Sequence, residues 1–169
     1  IQMELARKAR IEEEEENIRL DVEQTRYDAA LHIHEPFAGL DVFRGIVTYT
    51  DYEHVELEGD EVGTQFENDT WETRLEFVHS PMNRFHGAFG FQGKMGEFSA
   101  FGEEAYSPVT DSTELGLFLV EDWHNERWTL EGGLRYDYVE RDPDSDLTSK
   151  ADFNSFSASG SALFDLTDS

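Results

Sequence analysis

The 169-residue chain carries 38 acidic and 13 basic residues, a formal net charge of −25 at pH 7, and no cysteine. This charge repels phosphate, which excludes nucleic acid as a partner, and the lack of cysteine excludes disulfides and thiolate metal sites. No apolar stretch approaches the ~20 residues of a membrane helix. A membrane-spanning β-barrel is not excluded, because its strands need only about 10 residues each and alternate in polarity.

The first 16 residues, "IQMELARKARIEEEEE", differ from the rest of the chain. Their Glu, Ala, Leu, Arg and Lys favour helix, but five consecutive glutamates repel one another. We expect an acidic loop or a frayed helix over residues 1–16, separate from a second unit that spans residues 17–169.

From Asn17 onward the sequence divides into seven segments, and in six of them apolar residues recur at every second position. Successive side chains of a strand point to opposite faces, so each of these six has one apolar and one polar face. The fifth segment, "LGLFLVEDW", is apolar on both parities, so its register cannot be read. The stretch "RWTLEGGLRYDYVERDPDSD" at 127–146 shows the pattern most strictly. In the first segment the apolar parity changes near residues 24–26, which predicts a bulge or a change of environment along one long strand.

The connections between these segments alternate in length. Those near 35–40, 80–84 and 124–127 are short, whereas those near 58–70, 96–113 and 140–152 are long and acidic. Alternate connections of an antiparallel meander lie at the same end, so all short turns lie at one end and all long loops at the other. Outer-membrane barrels have this asymmetry, with short periplasmic turns and long extracellular loops.

Aromatic residues cluster near the segment ends, as in the girdles of a membrane barrel. They are Tyr27, Trp71, Phe85, Trp123, Trp128 and Phe164. The predicted fold class is therefore all-β, an antiparallel up-and-down meander of about seven strands that is part of a transmembrane β-barrel. The alternative is a soluble β-rich binding or display module, a sandwich or small barrel whose aromatics fill a core.

Several stretches resemble the barrel of TonB-dependent outer-membrane receptors. "WTLEGGLRYDYVE" is similar to a recurrent Leu-Glu-x-Gly-x-Arg-Tyr-Asp strand of that family, and "FNSFSASGSALFDLTDS" to the strand that often follows it. "NIRLDVEQTRYD", "TDYEHVELEGDEVGTQFEND" and "FSAFGEEAYSPVTDSTELGLFLVED" resemble the preceding strands and loops. The set is most similar to zinc-uptake receptors of the ZnuD type.

The resemblance implies a bacterial outer-membrane protein that imports a metal ion, a metal chelate or a vitamin. Such receptors close a 22-stranded barrel with an N-terminal plug and draw energy through TonB. The chain shows neither a plug domain nor a TonB-binding motif, so we expect it to be a part of a receptor. The implied partners are outer-membrane lipid and lipopolysaccharide, TonB acting through the plug, and the metal ion or chelate.

Imidazole and carboxylate are the usual zinc ligands of a protein without cysteine. His54 and Glu56 lie two residues apart near the long-loop end, on the parity of Tyr52, and Glu103, Glu104 or the glutamates of 12–16 are candidates to join them. This predicts a metal site at His54, Glu56, Glu103 and Glu104 with zinc as cargo, and no required cofactor. The alternative is that His54 bonds a neighbouring carboxylate in the lumen.

The other histidines lie beside short turns, which the topology places at the periplasmic end. His32 and His34 share a face there but lie far from the entry side, and His79, His86 and His124 are expected among headgroups or periplasmic water. No nucleophile elbow or phosphate loop is present, so we expect no enzyme. The acidic loops are expected either to concentrate cations at the mouth or to remain solvated beside lipopolysaccharide and its bridging cations.

Overall fold

The computed structural model describes residues 18–59, 61–102, 105 and 107–166. The acidic segment 1–16 and the candidate ligands Glu103 and Glu104 lie outside the described residues. Seven antiparallel strands form one sheet in chain order, each paired with the next. They are β1 (Ile18–Phe37), β2 (Leu40–Glu58), β3 (Glu61–His79), β4 (Phe85–Gly102), β5 (Thr110–His124), β6 (Trp128–Pro143) and β7 (Ala151–Phe164).

The register gives the sheet one apolar and one polar face. Residues directly opposite each other share a face, and the pairs Val47–Thr73 and Leu75–Phe91 therefore extend one row across β2 to β4. We call this side the apolar face. It takes the odd residues of β1–β5 and the even residues of β6 and β7. The other side is the polar face.

Each strand contributes a stretch of apolar side chains to the apolar face. These stretches, which we call the apolar band, are 27–33, 43–49, 71–77, 85–95, 115–123, 128–138 and 156–164. They are 7 to 11 residues long, close to the 9–11 that a tilted strand needs to cross a bilayer. All six predicted girdle aromatics lie on the apolar face at an edge of this band, which confirms that part of the pattern.

The strands continue past the band at their long-connection ends. β1 and β2 have 20 and 19 residues, and their pairing runs without a shift from Ile18–Glu58 to His34–Val42. The parity change near 24–26 is therefore a change of environment and not a bulge. The irregularity lies instead at Glu35, whose φ is 50°, beside the short turn.

The predicted long connections, 58–70, 96–113 and 140–152, are longer than the connections in the structure. β2 ends at Glu58 and β3 begins at Glu61, so the first of them is a tight connection between two long strands. β4 runs on to Gly102 and β6 to Pro143, which leaves 103–109 and 144–150 as connections. Polar residues on both faces had the composition of loops, although the backbone pairing is complete.

The sheet has a single layer. Among the described residues no hydrophobic side chain is buried, and the exposed large hydrophobic residues include much of the apolar band. The soluble sandwich alternative is wrong for this part of the chain, because a sandwich buries its apolar residues between two sheets. The described residues contain no helix long and apolar enough to cross a membrane.

Candidate functional site

Ion pairs between neighbouring strands cover the polar face at the level of the apolar band. Glu76 on β3 accepts hydrogen bonds from Arg74 on its own strand and from Arg44 on β2. Lys94 lies 3.3 Å from Glu72, and Arg135 lies 2.6 Å from Asp137. Positive and negative side chains on this face are nearly equal in number, which is typical of a water-exposed surface and not of a packed core.

Two glycines on the polar face let long side chains cross a strand. Phe118 on β5 lies over Gly90 and places its ring 4.6 Å from the guanidinium of Arg74 on β3. Arg135 on β6 passes over Gly116 and donates to the side-chain oxygen of Gln92 on β4 at 2.6 Å. A Cβ at Gly90 would lie 2.3 Å from a backbone oxygen and 2.4 Å from the Phe118 ring. These contacts tie alternate strands together and fix the wall's shape.

Beyond the band, the polar face changes to an aromatic cluster. The His54 ring stacks on Phe66 at 4.4 Å and meets Tyr52 edge-on at 5.6 Å, and Phe66 lies 6.3 Å from Phe98. We call these four residues the ring cluster. Nδ1 of His54 is buried with no hydrogen-bond partner. Nδ1 therefore bonds no carboxylate among the described residues, and the predicted alternative of a bonded carboxylate is left to the other ring nitrogen, Nε2.

Glu56 lies on the same face as His54, two residues closer to the connection between β2 and β3. It pairs with Thr64 on β3, and Thr64 is buried. The described residues contain no group of three or more His, Cys, Asp or Glu side chains able to hold a metal ion. The structure thus brings His54 and Glu56 to one face and leaves them short of a complete coordination shell.

The acidic residues of the strand extensions lie on the opposite side, in continuation of the apolar band. One cross-strand row carries carboxylates on five successive strands, each directly opposite the next. Its members are Asp51, Asp69, Glu97, Asp111 and Asp142. Within the described residues, most carboxylates of the extensions therefore lie on the side of the apolar band, whereas Glu56 lies on the opposite face. The expectation of a cation-concentrating mouth stays a prediction, because Glu103 and Glu104 lie outside the described residues.

Lys150 pairs with this outward acidic surface. Its ammonium lies 2.6 Å from Glu140 and 3.5 Å from Asp142. The hydrogen bond from Lys150, with a second from Tyr138, lowers the pKa of Glu140, and the same bond to Glu140 raises the pKa of Lys150. Lys150 is exposed and Glu140 is half-buried, so water still screens the pair, which fixes local geometry more than it adds stability.

The family comparison decides which face meets which solvent. The model for "TonB dependent receptor-like, beta-barrel" matches residues 12–169. The chain belongs to this family. It is therefore a protein of the bacterial outer membrane, with the apolar face toward lipid, the polar face toward the lumen, and the short turns at the periplasmic end.

Among solved structures, the chain is similar to that of "Copper transporter OprC". The TM-score is 0.69 at 17% sequence identity, and the match covers 89% of this chain and 29% of that one. At this identity the likeness shows the fold alone. The chain spans less than a third of the length of that transporter.

The sequence predicted the face of His54 and Glu56 but not their surroundings. Phe66 and Phe98 fall in stretches predicted as connections, so their contact with His54 was not anticipated. Their parity was the available signal, because Phe66 alternates with Gln65 and Glu67 as it would in a strand. His32 and His34 have ring centroids 4.6 Å apart on the lumen face at the periplasmic end, as expected.

Proposed function

We propose that the chain forms part of the barrel wall of a TonB-dependent receptor that takes up a metal ion or a metal complex, with zinc as the favoured cargo. Membership of the receptor family supports uptake across the outer membrane. The plug and the contact with TonB belong to the part of the receptor outside this chain. Zinc follows from the sequence resemblance, whereas the similar solved structure is that of a copper transporter.

The position of His54 and Glu56 carries the metal proposal. Both lie on the lumen face above the apolar band, at the end where cargo enters. Imidazole nitrogen and carboxylate oxygen are donors for zinc and equally suit copper(II). Two donors do not complete a site, so the remaining ligands come from Glu103, Glu104 or another segment of the receptor.

Isothermal titration of the full-length receptor in detergent tests this site. Zinc and copper(II) are titrated into the wild type and into the double variant His54→Ala/Glu56→Ala, with an iron chelate and cobalamin as comparators. Loss of two ligands is expected to weaken binding of the cargo metal on the order of tenfold or more. Because copper(II) generally binds nitrogen and oxygen sites more tightly than zinc, the effect of the substitutions is compared, not the absolute affinities.

His32→Ala is the matched control, because His32 lies on the same lumen face at the opposite end. Its metal affinity is expected to equal that of the wild type. An unchanged zinc affinity in the double variant would remove His54 and Glu56 from the site. If a chelate binds and no free metal does, the proposal of an uptake receptor would stand, but the free ion would be rejected as its cargo.

The proposal assigns no catalytic step to this chain. The family it belongs to is one of receptors. Carboxylates such as Glu76 and Asp137 are engaged by arginines on the lumen wall. Their contacts give a structural role to groups that an acid–base mechanism would need free.

A further inference from the structure

A polar strip crosses the lipid face at the periplasmic end of the sheet. The carboxylate of Glu121 on β5 passes over Gly87 and lies 3.1 Å from Nε2 of His79, the last residue of β3. The hydroxyl of Ser80 donates to Asp41 on β2 at 2.5 Å. All four strands involved are flanked by others, so the strip does not arise from an unpaired sheet edge.

The hydrogen bonds of His79 fix the charge of the strip. Its Nδ1 lies 2.8 Å from the carbonyl oxygen of Ser80, and its Nε2 faces both carboxylate oxygens of Glu121. Both neighbours only accept hydrogen bonds, so both ring nitrogens donate and the ring is an imidazolium. Together with Asp41 and Glu121, the strip carries one net negative charge.

A groove of about 480 Å³ opens on the lipid face beside Glu121. Its walls are Phe85, Trp123 and Leu130, and Gly132 forms its floor. A Cβ added at Gly132 would meet nothing within 4 Å, so the floor is open. Phe85 and Trp123 adjoin the short connections, which places the groove at the periplasm-facing leaflet.

The groove and the strip together match one kind of ligand. The apolar walls fit an acyl chain, and aromatic rings at this depth lie among lipid headgroups. The Glu121 carboxylate keeps lone pairs that His79 does not use, and it attracts a cation that carries N–H donors. Anionic headgroups are repelled, and a trimethylated ammonium has no N–H to donate.

We propose that this groove binds a phospholipid with a primary ammonium headgroup, phosphatidylethanolamine, from the periplasm-facing leaflet. The ammonium donates to Glu121 while an acyl chain lies against Phe85, Trp123 and Leu130. This inference rests on the orientation of the barrel in the outer membrane and is independent of the metal that the receptor carries.

Native mass spectrometry of the full-length receptor tests the proposal. The delipidated receptor is incubated with equal amounts of phosphatidylethanolamine, phosphatidylglycerol and phosphatidylcholine, then stripped with a mild detergent. The wild type is expected to retain one phosphatidylethanolamine in preference to the others. Glu121→Gln is expected to abolish the preference, because a neutral amide holds an ammonium far less strongly than a carboxylate does.

Two further variants keep the result interpretable. Asp122→Asn removes a carboxylate from the lumen face of the same strand, where Asp122 pairs with His86, and should leave the preference unchanged. Gly132→Leu fills the groove from the position opposite Glu121 and keeps the charges of Glu121 and His79, so it should also abolish retention even if Glu121→Gln fails to fold. Retention of phosphatidylethanolamine by Gly132→Leu, preferential retention of an anionic lipid, or a second receptor copy in place of lipid would each overturn the proposal.

Discussion

At the scale of single residues, glycine decides how the lumen wall packs. Gly90 and Gly116 admit the ring of Phe118 and the guanidinium of Arg135, which each reach a side chain two strands away. Because the strands are antiparallel neighbours, such contacts couple three strands at a time. Arg74 and Arg135 therefore each have a partner two strands away, although neither is buried.

Gly90→Ala is expected to destabilise the barrel by about 1–3 kcal/mol, the usual cost of forcing extra atoms into a packed position. The added methyl would meet the backbone oxygen of Leu75, which cannot move without disturbing the β3–β4 pairing. The midpoint of guanidinium unfolding of the full-length receptor in detergent measures the change. Gly132→Ala is the control, because open space surrounds that position, and equal midpoints for the two variants would contradict this role for Gly90.

The sequence could place single residues on a face but could not find their partners. Parity alone puts His54 and Glu56 together, since both are even-numbered residues of one strand. The contact between His54 and Phe66 depends on the register between β2 and β3, which includes a shift after Glu56. No pattern within one strand encodes that register.

At the scale of strands, one feature explains both the successes and the errors of the sequence prediction. Within the apolar band, alternation predicted six of the strands with their faces, whereas β5 is apolar on both parities and only its existence was predicted. Above the band the two faces exchange character, with carboxylates outside and rings such as Phe66 inside. A composition rich in Glu, Asp and Thr suggested loops, although the ladder of backbone hydrogen bonds continues through 61–70.

The row of carboxylates opposite one another is an unfavourable arrangement for the isolated sheet. Directly opposed like charges on adjacent strands destabilise a sheet. The five members of the row lie beyond the apolar band, at the end away from the short turns. We expect that divalent cations added to the receptor would screen this repulsion.

Leu134→Arg tests which face of β6 meets lipid. Leu134 lies in the middle of the apolar band, where an arginine costs about 2–4 kcal/mol in a transmembrane barrel. We expect the full-length receptor with this change to insert poorly, seen as loss of the heat-modifiable folded species on gels. Ser159→Arg places the same charge on the lumen face of β7, opposite Gly133, and should insert normally. Similar insertion of both variants would contradict the assignment of the faces.

At the scale of the whole molecule, the described residues form one sheet of seven strands, which is part of the wall of a receptor barrel. The chain has no hydrophobic core among its described residues, because lipid takes the place of a second layer. The sequence was sufficient to predict the class of fold and the family, but it predicted a long connection between β2 and β3 where the structure has a tight one. The cargo stays a proposal, because the described residues bring only His54 and Glu56 to one face and contain no complete metal-binding group.

The two faces of β2 exchange their apolar and polar character along one continuous strand, and spin labels on β2 can detect this exchange. Ile46 and Val47 are adjacent β-branched residues with 40% and 41% exposure, and Glu53 lies farther along the face of Val47. The chain has no native cysteine, so single cysteines at these positions can be labelled in the receptor reconstituted in bilayers.

We predict that the label at 47 is relaxed mainly by oxygen, which partitions into lipid, and those at 46 and 53 by a water-soluble nickel complex. The same relaxation agent acting at 46 and 47, or oxygen dominating at 53, would contradict the account.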